Sequence, residues 1–543
     1  MKIKYFALLI GFPLLYSSCD SDMDNLAEPY SQETTDVTPN IQYSSGSANL
    51  STFVTVGNSL TAGFSDGALF KKGQEVSVSN ILADQFALAG GGTFTQPLMN
   101  DDVGGLLLGG NPILNPTTGD NMFPQRMFFD LGTQTPMTLN QASSTELTNI
   151  LPGPYNNMGV PGAKTFHLVA PGYGDLANFP AAANPYFVRM ASAPSTTVLA
   201  DAMSMNPTFF SLWIGNNDVL GYAISGGDGS DAITDINTFS AAYGAIAGTL
   251  ASNASGGIIN NIPNVTDIPY FTTVPYAPLD PSNPDFGPLI PTLNGMFGLL
   301  NQVYVAMSMP ERAVVFSETS ASAVLIKDES LVDISAQMTQ ILATNPALPM
   351  FIQQFGYSEQ EAQALAPLVA GLLGNYYGQT RQANANDLLV LPSSKVIGEI
   401  NMTSLQNLMN LGFPQELAAQ FSVEGITYGL DDKWVLLPTE QLEVENATTA
   451  FNQVIEQTAS TYDLAFFDVN TFFSGVASSG YQAGSAFMTA DYVTGGAFSL
   501  DGIHPSPRGN AVIANQMIQV INEKYGANLP NVNPVDYTGL YIN

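Results

Sequence analysis

The chain of 543 residues carries few groups able to move protons near neutral pH: two histidines, His167 and His504, and one cysteine, Cys19. His504 lies three positions after Asp501, and a turn between the two lets the carboxylate reach the imidazole and orient it as a base. His167 is worse placed. Asp175, its nearest acidic neighbour, lies beyond Pro171, Gly172 and Gly174, so His167 reads as a structural or surface histidine. Ser59 offers a hydroxyl elsewhere in the chain. It follows the apolar and β-branched run Phe53-Val54-Thr55-Val56, closed by Gly57-Asn58, and so falls just past the carboxyl end of a buried strand. Open α/β sheets keep their chemistry there. A hydroxyl at that point can attack a carbonyl while backbone N–H groups of the following turn hold the developing oxyanion. A Gly-Asn-Ser segment by itself reads equally well as an ordinary turn.

Two further segments place polar groups beside apolar ones. Asn157-Met158-Gly159-Val160-Pro161-Gly162 makes a tight turn whose N–H groups can face a ligand. The run from Thr208 to Ile214 reads as a fully buried strand and ends in Gly215-Asn216-Asn217-Asp218, which also suits a capped turn opening a helix.

Taken in order, the four segments resemble the sequence blocks of the SGNH (GDSL) hydrolases: Gly57-Asn58-Ser59-Leu60, Asn157 to Gly162, Gly215-Asn216-Asn217-Asp218, and Asp501-Gly502-Ile503-His504-Pro505-Ser506. The resemblance implies a three-layer α/β/α fold with a central parallel sheet, flavodoxin-like in its order. It also implies a role for each residue: Ser59 as nucleophile, His504 as general base and then acid, and Asp501 as the group orienting His504. The oxyanion would be held by the N–H groups of Ser59 and Gly162 and by the side-chain amide of Asn217. No cofactor or metal is implied. Asn58 stands where the family usually has Asp, which removes a charge beside the nucleophile. The wide separation of Asn217 from Asp501 requires insertions, placed at about 90–154 and 275–440.

Composition narrows the partners. With 14 Lys and Arg against 46 Asp and Glu, the formal net charge is −32, which excludes a basic footprint for nucleic acid. The same charge repels an anionic membrane, apart from a covalent anchor. Such an anchor is suggested at the amino end. Lys2 and Lys4 precede an apolar core, Tyr5 to Leu15, too short to span a bilayer, and Tyr16-Ser17-Ser18 leads to Cys19. The arrangement resembles a bacterial lipoprotein signal over residues 1–18 with lipidation of Cys19, although Tyr16 stands where Leu is usual. Asp20-Ser21-Asp22 resembles the export tag of surface lipoproteins in Bacteroidetes-type bacteria, so an outer-membrane lipoprotein on the cell surface is expected ahead of one on the periplasmic face. Residues 19–47 read as a disordered tether.

The hydrolase domain is expected over 48–527, followed by a C-terminal tail, 528–543. Val76 to Leu88, Ala447 to Thr458 and Pro507 to about Glu523 carry helical spacing, the last with Ser506 as N-cap. Leu464 to Phe467 and Gly256 to Ile262 suit strands, and Pro269 to Val274 an extended piece. Leu331, Ile334, Met338 and Ile341 share a helical face, and Ser358 to Glu361 is a capping box opening a helix through Leu373; together they predict a helical insertion over the sheet. Leu106-Leu107-Leu108 either plugs the core locally or lines an apolar entrance. The expected function is a serine esterase or lipase acting on an acyl lipid or acylated carbohydrate. A carbohydrate acetyl esterase and a non-catalytic surface glycan- or lipid-binding lipoprotein remain open.

Overall fold

The structure is a computed structural model and describes residues 42–542. Cys19, its leader and nearly all of the expected tether lie outside the described residues.

Five parallel strands form the central sheet: β1 (Phe53–Gly57), β2 (Asn157–Gly159), β3 (Phe209–Trp213), β4 (Gly256–Asn260) and β5 (Ala465–Phe467). Their order across the sheet is β5-β4-β3-β1-β2, with Gly57 level with Trp213 on one side and Gly159 on the other. Every residue of β1, β3 and β4 is buried. Strands covered on both faces need apolar residues at consecutive positions, which is why these read as continuous apolar runs. The chain leaves β1 toward β2 and returns to the other side at β3. The reversal opens a crevice beyond the carboxyl ends of β1 and β3, where ligands bind in sheets of this kind.

Seventeen helices accompany the strands among the described residues. Six concern the site: α1 (Ser59–Ala62), α2 (Val78–Ala87), α3 (Asn217–Ile224), α4 (Ile236–Asn253), α5 (Pro438–Thr461) and α6 (Pro507–Tyr525). Phe86 of α2 and Tyr525 of α6 both pack edge-on against Phe209 of the sheet, at 5.7 and 5.4 Å between ring centres. Phe239 of α4 stacks on Phe451 of α5 at 4.0 Å. As the sequence predicts, Ser506 caps α6, its hydroxyl accepting the Gly509 N–H at 3.0 Å, with Pro507 at the first helical position.

The segment 275–440 builds a largely separate apolar core around Phe297, Tyr304, Met338, Leu373, Tyr377 and Phe421. The Ser358–Glu361 capping box forms as expected, and its helix runs past Leu373 to Tyr377. A helix at Ile290–Ala306 is absent from the sequence reading; Pro291, Gly295 and Gly298 blur its periodicity, and packing in this second core supplies the stability that propensity does not. Pro269–Thr272 is a helical turn rather than an extended piece. Proline at its first position has the φ a helix needs, and the Thr273 N–H closes the turn on the Pro269 carbonyl at 3.2 Å.

Segment 90–154 forms two short hairpins. Leu106 is buried with Ala62, Leu69 and Leu147, whereas Leu108 is 41% exposed, so the first leucine is a plug and the third is not. The domain limits also move. The compact unit starts at Tyr43, because the Ser47 N–H bonds the last carbonyl of α6, on Tyr525, at 2.8 Å. Nor is the segment after 527 a free tail: Leu529 is buried, Val532 pairs with Asn515 of α6, and the Tyr541 carbonyl accepts the Phe129 N–H at 2.8 Å.

Candidate active site

Ser59 opens α1, and Asn58 caps that helix by accepting the Leu60 N–H at 3.0 Å. As the first helical residue, Ser59 points its own N–H out of the helix, and among the described residues this group has no backbone or side-chain acceptor. Gly63 ends α1 at φ 84°, and a Cβ there would lie 2.7 Å from the Gly73 carbonyl oxygen, so only glycine closes so short a helix.

His504 arrives from a loop 445 positions away and sets its Nε2 2.9 Å from Ser59 Oγ. Its Nδ1 lies 2.8 Å from Asp501 Oδ2, which assigns the Nδ1–H tautomer and leaves Nε2 to accept the serine proton. Asp501 is tied on both oxygens. Oδ1 accepts the N–H groups of Ile503 at 2.9 Å and His504 at 2.8 Å and the Ser499 hydroxyl at 3.0 Å, and Oδ2 also accepts the Gly67 N–H at 3.0 Å. Burial by itself would raise this carboxyl, but the His504 partner and the hydrogen bonds outweigh it and hold Asp501 at about 2. It stays charged at neutral pH. Phe64 packs on the His504 ring at 4.8 Å and fixes its plane from the side.

The Gly162 turn is held by two side-chain amides. Asn184 Nδ2 donates to the Pro161 carbonyl at 2.8 Å and Asn217 Nδ2 to the Ala163 carbonyl at 2.9 Å. Gly162 itself sits at φ 78°, and its N–H has no acceptor among the described residues. Asn217 heads α3 and lines the cavity beside Ser59 and His504; its second amide hydrogen is not used by the Ala163 contact. Gly162 is not part of that lining and is joined to it through the Asn217–Ala163 bond. The histidine, aspartate, serine and Asn217 are thus brought together, with Gly162 at their margin.

Asn58 is fully buried and donates to Asn216 Oδ1 at 3.1 Å, tying the nucleophile turn to the β3 turn. The amide group of Asn58 thus donates to the β3 turn while its oxygen caps α1. Asp218, the last residue of that turn, is buried and accepts both the N–H and the hydroxyl of Thr165 at 2.8 Å. Burial pushes its carboxyl upward against those bonds. His167 is structural, as its sequence neighbourhood suggests. It stacks on Tyr173 at 4.6 Å, its Nδ1 accepts the Lys164 N–H, and burial first, then the Lys164 charge, lower it to about 4.

Two supports escape sequence reading: Asn184, and the Asp66–Ser499 pair behind Asp501. Each acts through side-chain bonds to a distant segment, and no local pattern marks such bonds. The cavity beside Ser59 is walled by Trp213, Leu220, Val265, Ile268, Phe473 and Phe498 and has a volume of about 40 Å³. Neither insertion contributes to its lining. The 275–440 segment meets the catalytic loop at its edge, where Leu391 Cδ2 lies 3.1 Å from the position a Cβ on Gly502 would take. The helical insertion therefore flanks the site instead of covering the nucleophile. Away from it, Glu329, Asp432 and Glu440 bring carboxylate oxygens within 4.8 Å of one another. Burial and the adjacent Glu329 carboxyl push Glu440 upward, which keeps a proton in that cluster. No family model, curated protein or solved structure matches the chain.

Proposed function

We propose that the chain is a serine ester hydrolase of the SGNH type, with the three-layer, flavodoxin-like architecture of that family. One observation carries the assignment: the unbroken hydrogen-bonded series Ser59 Oγ, His504 Nε2, His504 Nδ1, Asp501 Oδ2, at 2.9 and 2.8 Å, just past the end of a parallel strand, beside a Ser59 N–H that is unpaired among the described residues. Ser59 attacks the ester carbonyl as His504 takes its proton. The N–H groups of Ser59 and Gly162 and the amide of Asn217 stabilise the oxyanion. His504 then protonates the departing alcohol, and water, activated by the same imidazole, releases the acyl group from Ser59. These side chains supply the acid, base, nucleophile and electrophile, so the reaction calls on no metal or cofactor.

Cavity size informs the substrate. At about 40 Å³ the cavity beside Ser59 is small. Apolar walls of that size suit a short acyl group better than a long chain. The leucine- and methionine-rich insertions line none of it and lend no support to a lipase. The same observation favours a second form of this reading, in which the ester is an acetyl group on a carbohydrate. Anchoring through a lipid on Cys19, with display at the outer-membrane surface, completes the proposal.

The test is hydrolysis of p-nitrophenyl esters of increasing chain length by the unit from Tyr43 onward, beside Ser59→Ala. Activity greatest with short acyl groups and lost in the variant is expected. Ligand binding without turnover in the wild type would instead identify a binding lipoprotein.

A further inference from the structure

Behind Asp501 lies a second carboxyl that the reaction above does not use. Asp66 is 2% exposed, and its Oδ2 has no hydrogen-bond partner among the described residues. Its Oδ1 accepts the Leu500 N–H at 2.9 Å, and its own N–H donates to Ser499 Oγ at 3.0 Å. That hydroxyl in turn donates to Asp501 Oδ1, and the next residue, Gly67, donates to Asp501 Oδ2, each at 3.0 Å. One two-residue turn thus holds both oxygens of the residue that orients His504. On its other side the turn is gripped by the 90–154 insertion, through the Met127 N–H on the Asp66 carbonyl at 2.8 Å.

Asp66 is a costly choice for this place. It sits at φ 51°, in the left-handed region where glycine is at home and Asn or Asp is tolerated. It buries an acid one hydroxyl away from a second acid, and burial first, then the Asp501 charge, push it up to about 7. Arg126, the cation facing it, spends its Nε on the Asp102 carbonyl and lies over the Tyr541 ring at 4.7 Å. Tyr492 and Tyr541 are the other ionisable groups that face it. Local rules broken together beside a catalytic group mark function more often than packing.

We propose, resting on the ester-hydrolase assignment, that Asp66 is a positioning residue: its turn, braced by the 90–154 insertion, fixes Asp501 and through it the direction of His504. Asp66 does not line the Ser59 cavity, so substrate binding is independent of it. While Asp66 holds its proton, Asp501 is the one negative charge presented to His504.

Because the chain has two histidines, isotope labelling of histidine gives two imidazole signals, and His167→Gln assigns them. The full-length chain is compared as wild type, Asp66→Asn, Asp66→Ala and Ser59→Ala. Asp66→Ala is expected to lower kcat about 10- to 100-fold with KM unchanged, since small misplacements of reacting groups have costs of that order. Asp66→Asn, which still accepts the Leu500 N–H, is expected to recover most of the loss, with the His504 ring signals returning toward their wild-type positions. A folded Asp66→Ala with wild-type kcat and an unmoved His504 signal would overturn the proposal. If Asp66→Ala does not fold, Ser499→Ala cuts the same link to Asp501 from its other end and must lower kcat likewise; a wild-type kcat there would overturn it equally. A fully active Ser59→Ala would remove the ester-hydrolase assignment itself, an outcome distinct from the failure of Asp66 alone.

Discussion

Each residue of the site is held by bonds that also make predictions separable. Ser59→Ala is expected to lower turnover about 10⁴-fold or more, read in a p-nitrophenyl acetate assay. Asn217→Ala removes the proposed oxyanion donor and its bond to the Ala163 carbonyl, and is expected to lower kcat about 100- to 1000-fold. Asp501 couples the site to stability. Its carboxyl is held at about 2, below its ordinary 3.8, so its stabilisation is complete above about pH 4 and is lost as pH falls through about 2. The difference corresponds to about 2 kcal/mol. Denaturant unfolding should therefore show Asp501→Asn less stable than wild type at pH 7, with the gap narrowing toward pH 2.

At the scale of elements, the short helix and the short loop matter most. Gly502 sits at φ 72° within the Asp501–His504 turn, with Leu391 and the Tyr270 backbone close about it. Gly502→Ala strains that conformation by about 1–2 kcal/mol and pushes the loop from the 275–440 core. A fall in kcat larger than the fall in stability is the expected result, from steady-state kinetics and thermal melts on one preparation. Ser506→Ala removes the cap of α6 and should cost about 1 kcal/mol, seen as a lower denaturant midpoint with an unchanged slope. Capped helices and buried strands were legible in the sequence because both follow from neighbours a few residues apart. Pro269–Thr272 was not, since a proline followed by two aromatic residues fits an extended piece or a first helical turn alike.

Across the whole molecule, the framework is one sheet with its helices, and the insertions act on it from the flanks. The carboxyl-terminal residues close the structure by packing on α6 and on the 90–154 hairpins, with the Arg126 guanidinium over the Tyr541 ring. Deleting 528–543 is expected to lower the melting temperature by several degrees and to reduce activity, since the turn of Asp66 bonds that hairpin through Met127. The order of the four motif segments and the candidate residues Ser59, Asp501, His504 and Asn217 were readable from the chain, because residue type, strand ends and turn composition are local properties. The 2.9 Å meeting of Ser59 with His504, the turn of Asp66 behind Asp501, the small cavity and the flanking place of the insertions were decided only in three dimensions. Those depend on which distant surfaces pack together, and packing is set by the shape and burial of the whole core, which no local pattern encodes.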